Sequence, residues 1–181
     1  MPKRSYRLAT DSPEIEAAFA ELRRQLKVSV QFPAEVLVEA EAAAHAPRLP
    51  DADETAIPFV TLDPASSMDL DQAFHIERRG DGYRVRYAIA DVTAFVRPGG
   101  PLDVEAHQRG ETLYAPDENA RLYPPVLSEG AASLLPDQTR PAVVWTMDVD
   151  ETGEGVDVNV RHALVRSRAK LDYISAQQAL T

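Results

Sequence analysis

Two pairs of alternating strands and two stretches of helical spacing predict a mixed α/β fold of the α+β kind, with helices flanking a mainly antiparallel sheet. The first strand pair is "AFHIER" and "YRVRYAIAD", joined by the turn "RGDG"; the second lies within "AVVWTMDVDETGEGVDVNVRHALVRS" and turns at "ETGEG". Helical spacing fills the first 50 residues, and the Pro- and acid-rich "PRLPDADETAIP" then marks a change of character. The domain reading is therefore a helical segment over 1–50 and a sheet-bearing part over 51–181. With 181 residues, 44% of them hydrophobic and 27% charged, the chain can build an ordinary core.

In chain order, "DSPEIEAAFAELRRQL" reads as an amphipathic helix: Asp11 or Ser12 caps it, Pro13 suits its first turn, and Ile15, Phe19, Leu22 and Leu26 share a face suited to core packing. A second helix, "PAEVLVEAEAAAHA", is opened by Pro33 and closed before Pro47, with Val36, Leu37, Ala40 and Ala44 as its stripe. The run Phe59-Val60-Thr61-Leu62 is a strand that delivers Asp63 at its end, and the hairpin that follows runs into Asp91. "GGPLDVEAHQRG" is a turn and a short helix ending near Gly110; "ETLYAP" is a brief strand carrying Tyr114. "RLYPPVLSEGAASLLPDQTRP" is too rich in proline to be more than loop and short helix, and "LDYISAQQALT" begins a helix after the second hairpin.

Composition removes several classes of function. No apolar run approaches the roughly 20 residues of a membrane span, and "MPKRSYRLATDSPE" lacks the apolar centre of a secretory signal, so the expected location is cytoplasmic. Without cysteine there is no thiol catalysis and no cysteine-bound zinc, and the four histidines show no ligand spacing; a metal here would be held by oxygen. A net charge of −10 excludes a surface that is basic all over. Arg161, Arg166, Arg168 and Lys170 fall within "NVRHALVRSRAK", which reads either as a local phosphate-binding patch or as a solvated strand edge.

The chemistry concentrates in "TLDPASSMDLDQAF". Asp69 and Asp71, at i and i+2, point the same way on extended backbone, and Asp63 reaches them if "PASSM" folds back. Bunched carboxylates repel, so a proton or a cation must relieve them, and magnesium suits oxygen ligands and a phosphate-bearing substrate. The spacing alone equally allows turn and cap roles for Asp63 and Asp69, or the DxD of a nucleotide-sugar transferase using Asp69 and Asp71.

"FVTLDPASSMDLDQAF" closely resembles the catalytic signature of the ribonuclease II and ribonuclease R family, whose catalytic unit is the RNB domain. "YAIADVTAFVRPGGPLDVEAHQRGETLYAP", "YPPVLSEGAASLLPDQTRPA" and "VRSRAKLDY" resemble further blocks of that family in the same order, from about Pro58 to Thr181. The resemblance implies a magnesium-dependent hydrolase, with manganese as the substitute ion, that shortens single-stranded RNA from its 3′ end and releases nucleoside 5′-monophosphates. It places Asp63, Asp69 and Asp71 on the metal and Gln72 at the fourth catalytic position, where the family usually has aspartate. It sets Tyr114 where a base stacks. Arg109, Arg166 and Arg168 are read as further RNA contacts, the last two from the basic stretch "NVRHALVRSRAK". Two departures stand out: an amide at position 72 brings no negative charge, and only the front half of the family's catalytic domain is matched. The remainder of that domain is thus expected as a requirement, with no membrane partner and no oligomer. The competing implication is a silent relative that binds RNA without cutting it.

Overall fold

In the computed structural model, which describes residues 13–179, the alternating segments close into a five-stranded barrel. Its strands are β1 (Phe59–Leu62), β2 (Gln72–Arg79), β3 (Gly82–Ala90), β4 (Thr139–Val149) and β5 (Gly155–Leu171). The neighbouring pairs from β1 to β5 are antiparallel, and the barrel is closed by a parallel pairing of β1 with β5, Thr61 facing Lys170 and Leu62 facing Leu171. The fold class is the expected one, and the expected hairpins are β2–β3 and β4–β5. At the first turn Gly82 is required, since a Cβ there would lie 2.0 Å from the carbonyl oxygen of Val149.

A barrel of five strands has little interior volume, and its core residues are correspondingly small. Ala73, Ala88, Ala142 and Ala163 come from four strands and pack with Val144 and Val165, while Phe59, Leu70 and Leu134 supply the bulk.

Four α-helices lie among the described residues: α1 (Pro13–Leu26), α2 (Ala34–His45), α3 (Pro101–Arg109) and α4 (Tyr173–Ala179). The expected caps Asp11 and Ser12 lie outside the described residues. The expectation that α1 packs an apolar face into a core is corrected: no residue of α1 is buried, and Leu22 and Leu26 are exposed. Helical spacing prepares a face for burial without supplying the surface that covers it. On α2 the buried positions are Val36 and Ala40, whereas Leu37 is exposed. Gly110 ends α3 at φ +76°, as a C-terminal glycine should. "ETLYAP" is not a strand; a single bridge between Leu113 and Ala120 is all the pairing there. No helix among the described residues is long and apolar enough to cross a membrane.

The chain divides into two compact units that do not follow its linear order. Among the described residues, one comprises 13–39 together with Pro98–Pro124, and the other comprises Ala40–Arg97 and 125–179. The second unit contains the barrel. In the first, Arg23 makes a two-pronged contact with Asp117, at 2.9 and 2.8 Å.

Candidate functional site

The three acids sit where β1 ends and β2 begins. Asp63 follows β1 directly, and its N–H donates to the Leu171 carbonyl at 3.1 Å, so β5 still holds the chain at that point. Between Asp69 and Asp71, Leu70 is fully buried in the barrel core, which anchors the acids on either side of it. The Asp71 carbonyl then accepts from Ala90 N–H at 2.8 Å, which starts the β2–β3 ladder. The intervening segment folds back, with a turn closed by Ser67 N–H on the Pro64 carbonyl at 2.9 Å. This brings the carboxyls within electrostatic range. Burial pushes Asp63 above the usual carboxylate value and the Asp69 charge adds to it, while Lys170 opposes both. Burial likewise raises Asp71, followed by the charges of Asp69 and Asp63.

As they are arranged, no three acid or imidazole groups among the described residues stand at the mutual spacing of metal ligands. Coulomb coupling reaches farther than ligand bonds, so the two findings are compatible: the carboxylates sense one another without enclosing a common point. The donor chemistry fits a hard divalent cation, being all oxygen and free of thiolate. A further oxygen lies close along the chain. Thr61, fully buried two residues before Asp63 on the same side of β1, has a hydroxyl with no hydrogen-bond partner.

Gln72 is the first residue of β2, opposite Ile89. Its amide oxygen accepts from the Tyr87 hydroxyl. That oxygen is the atom through which an amide coordinates a metal, and the Tyr87 hydroxyl takes one of its two lone pairs. Strand alternation also sends Gln72 to the face opposite Ala73, along with Phe74 and Tyr87.

The arginines divide. Arg109 does not present a free guanidinium: it donates to Glu105 at 2.8 Å and to the carbonyls of Ser29, Arg121 and Gln31 at 2.8, 3.0 and 2.7 Å, and it stacks on the Phe32 ring. Its donors serve to hold the first unit together. A cavity of about 320 Å³ beside it is lined by Lys27, Glu105 and Glu111 among others, and belongs to that unit. Arg166 stands 3.7 Å from Asp137, with its Nε buried and unpartnered, and Arg168 donates to the Thr55 carbonyl at 2.9 Å. Tyr114, in the first unit, is 75% exposed.

Sequence reasoning missed two groups of residues. Lys170, noticed only as part of a basic stretch, and Ser133, not noticed at all, both bond to the acid-bearing loop. Asp91, buried at the end of β3, accepts from the Thr93 N–H and hydroxyl at 3.0 and 2.5 Å, and its other oxygen lies 2.6 Å from His162 Nδ1. Burial alone would raise Asp91, but these contacts outweigh it and hold the carboxyl below its usual value. No sequence signal links residues 91 and 162 beyond their places on strands.

Comparison with known proteins follows the same segments. Residues 52–181 match the RNB domain. Exoribonuclease 2 of Photorhabdus laumondii is 42% identical over 123 residues, covering 67% of this chain and 19% of its own length. Ribonuclease R of Vibrio cholerae is 35% identical over 164 residues, covering 87% of this chain and 20% of its own. The chain therefore spans about a fifth of the length of these curated relatives. The RNase R of Mycoplasma genitalium in complex with ribose methylated single-stranded RNA superposes with a TM-score of 0.83 at 25% identity, over 94% of this chain and 27% of that one.

Proposed function

The chain belongs to the RNB domain family, and we propose that it carries the acid site of a 3′-to-5′ exoribonuclease that hydrolyses single-stranded RNA to nucleoside 5′-monophosphates. The observation that supports this most is that the folded-back loop brings Asp63, Asp69 and Asp71 within electrostatic range, where burial first and neighbouring charge second raise Asp63 and Asp71. Such a cluster is unfavourable by itself and gains most from a cation. Asp63, Asp69 and Asp71 would hold magnesium, which when bound activates water and stabilises charge on the phosphate in in-line displacement. The remaining work falls to binding. Tyr114 presents an exposed ring on which any base can stack, which suits cleavage without sequence preference. Arg166 and Arg168 are the cations of β5 assigned to the RNA phosphates, and they would fix the strand by charge alone.

The family likeness covers a fifth of the relatives' length, so completion of the site by further chain belongs to the same proposal. One observation favours a second reading, a relative that binds RNA without turnover: the fourth position is an amide whose oxygen is engaged by Tyr87. Gel shift and cleavage of one labelled RNA by the unsubstituted protein and by Asp69→Asn and Asp71→Asn separate the two. Under the first reading the unsubstituted protein binds and cuts, whereas both variants bind and neither cuts. If the unsubstituted protein in its longest natural form binds but does not cut, the second reading stands.

A further inference from the structure

The loop that carries the acids is tied down by two side chains from distant parts of the chain. Lys170 of β5 donates from Nζ to two of its carbonyls, Ala65 at 2.8 Å and Ser67 at 2.5 Å. Ser133, which is 1% exposed, donates from Oγ to the Met68 carbonyl at 2.7 Å and accepts from Leu70 N–H at 3.0 Å. Its neighbour adds a main-chain bond, Leu134 N–H to the Leu70 carbonyl at 2.9 Å. The fixed points thus alternate with the acids along the chain: Lys170 grips the loop between Asp63 and Asp69, and Ser133 grips it on both sides of Asp69.

An irregular loop that must gather like charges works against its own conformational entropy and against their repulsion. Points of attachment from outside oppose both. Ser133 suits this task because one buried hydroxyl satisfies a backbone acceptor and a backbone donor at once. Lys170 suits it because an ammonium offers three donors on a long stem and places a positive charge beside Asp63.

We propose that Ser133 and Lys170 are the positioning residues of the acid site, and that together they set the placement of Asp63 relative to Asp69 and Asp71 and hence the affinity for a divalent cation. The proposal rests on the reading of these acids as a cation site. Neither residue need touch the ion; each acts through the loop backbone.

The test uses the whole chain with manganese as the probe, the free ion being read by its paramagnetic resonance signal and folding by far-ultraviolet dichroism. Asp71→Asn serves as the reference for loss of the site. Lys170→Met and Ser133→Ala should each weaken manganese binding by about 10- to 100-fold, the range for groups that orient metal ligands, while cooperative unfolding is kept; Lys170→Arg should recover most of the loss. Arg161→Met, which breaks the ion pair with Glu54 away from the loop, should leave manganese affinity as it was. If Ser133→Ala does not fold, Ser133→Cys, close in volume and a weaker donor, should show a smaller loss in the same direction.

The outcomes are distinct. Should Asp71→Asn abolish binding while the Lys170 and Ser133 variants bind within about twofold of the parent, the positioning role is wrong and the acid site stands. Should the parent and Asp71→Asn take up manganese alike, the acid site itself is wrong, and the positioning role goes with it.

Discussion

Replacing Leu70 by alanine tests how the fold places the acids. Leu70 is fully buried in a core whose other members are mostly alanine and valine. Such short side chains cannot reach into the space a leucine leaves, so the cost belongs in the upper part of the usual leucine-to-alanine range, about 3–5 kcal/mol. With a urea dependence of about 2 kcal/mol per molar, typical of small proteins, the unfolding midpoint should fall by roughly 1.5–2.5 M. Domains of ordinary stability survive that loss, so the variant can be assayed folded. Because Asp69 and Asp71 flank the missing side chain, manganese affinity should fall as well. Leu127→Ala supplies the control: that leucine is equally buried but lies outside the cluster that holds Leu70. It should cost a similar amount of stability and leave manganese binding unchanged. A cost below about 1 kcal/mol for Leu70→Ala, far under the usual range, or equal loss of affinity in both variants, would refute the anchoring argument.

Three further outcomes are expected. The Asp91 carboxyl is held below its usual value, so its contribution to stability is fully present above the unfolded carboxylate value of about 3.9 and is lost as pH falls through the lower folded value. Urea midpoints measured downward from pH 5 should therefore fall more steeply for the parent than for Asp91→Asn. Changing Arg166 and Arg168 together to alanine should reduce the slope of log affinity for single-stranded RNA against log salt by about 1.4, at about 0.7 per phosphate contact, as seen by fluorescence anisotropy across a salt series. Tyr114→Ala should weaken single-strand binding by about 1–3 kcal/mol, the worth of one stacked base, and leave thermal unfolding where it was, since the ring is exposed.

Much of the barrel is legible in the sequence because alternation and turn residues are local signals. "RGDG" and "ETGEG" mark both hairpins, and the proline before α2 and the glycine after α3 mark helix ends close to where they fall. Barrel closure was not legible. It depends on a parallel pairing of β1 with β5, more than 100 residues apart, and no local period encodes a partner at that distance. For the same reason the apolar stripe of α1 promised burial that the fold does not provide. "ETLYAP" offers too few alternating residues to sustain a ladder, and only Leu113 finds a partner.

Within the candidate site the acids stand out as three carboxylates within nine positions, but their spacing equally allowed turn, cap and transferase roles, and only the family resemblance singled out a metal role. The supports were not legible. Lys170 and Ser133 act by side-chain bonds to backbone groups 63 to 105 residues away, and such bonds leave no trace in spacing or composition. The bonds of Arg109 were equally hidden: its donors go to Glu105 and to three carbonyls as far as 80 residues away.

The most direct test of the central claim is product analysis at single-nucleotide resolution, using 5′-labelled single-stranded RNA with magnesium and both this chain and the longest natural form that contains it. The account predicts a ladder that shortens from the 3′ end while nucleoside 5′-monophosphates accumulate, and that stops in Asp71→Asn. Internal cuts, shortening that persists in Asp71→Asn, or intact RNA with the longest form would contradict it.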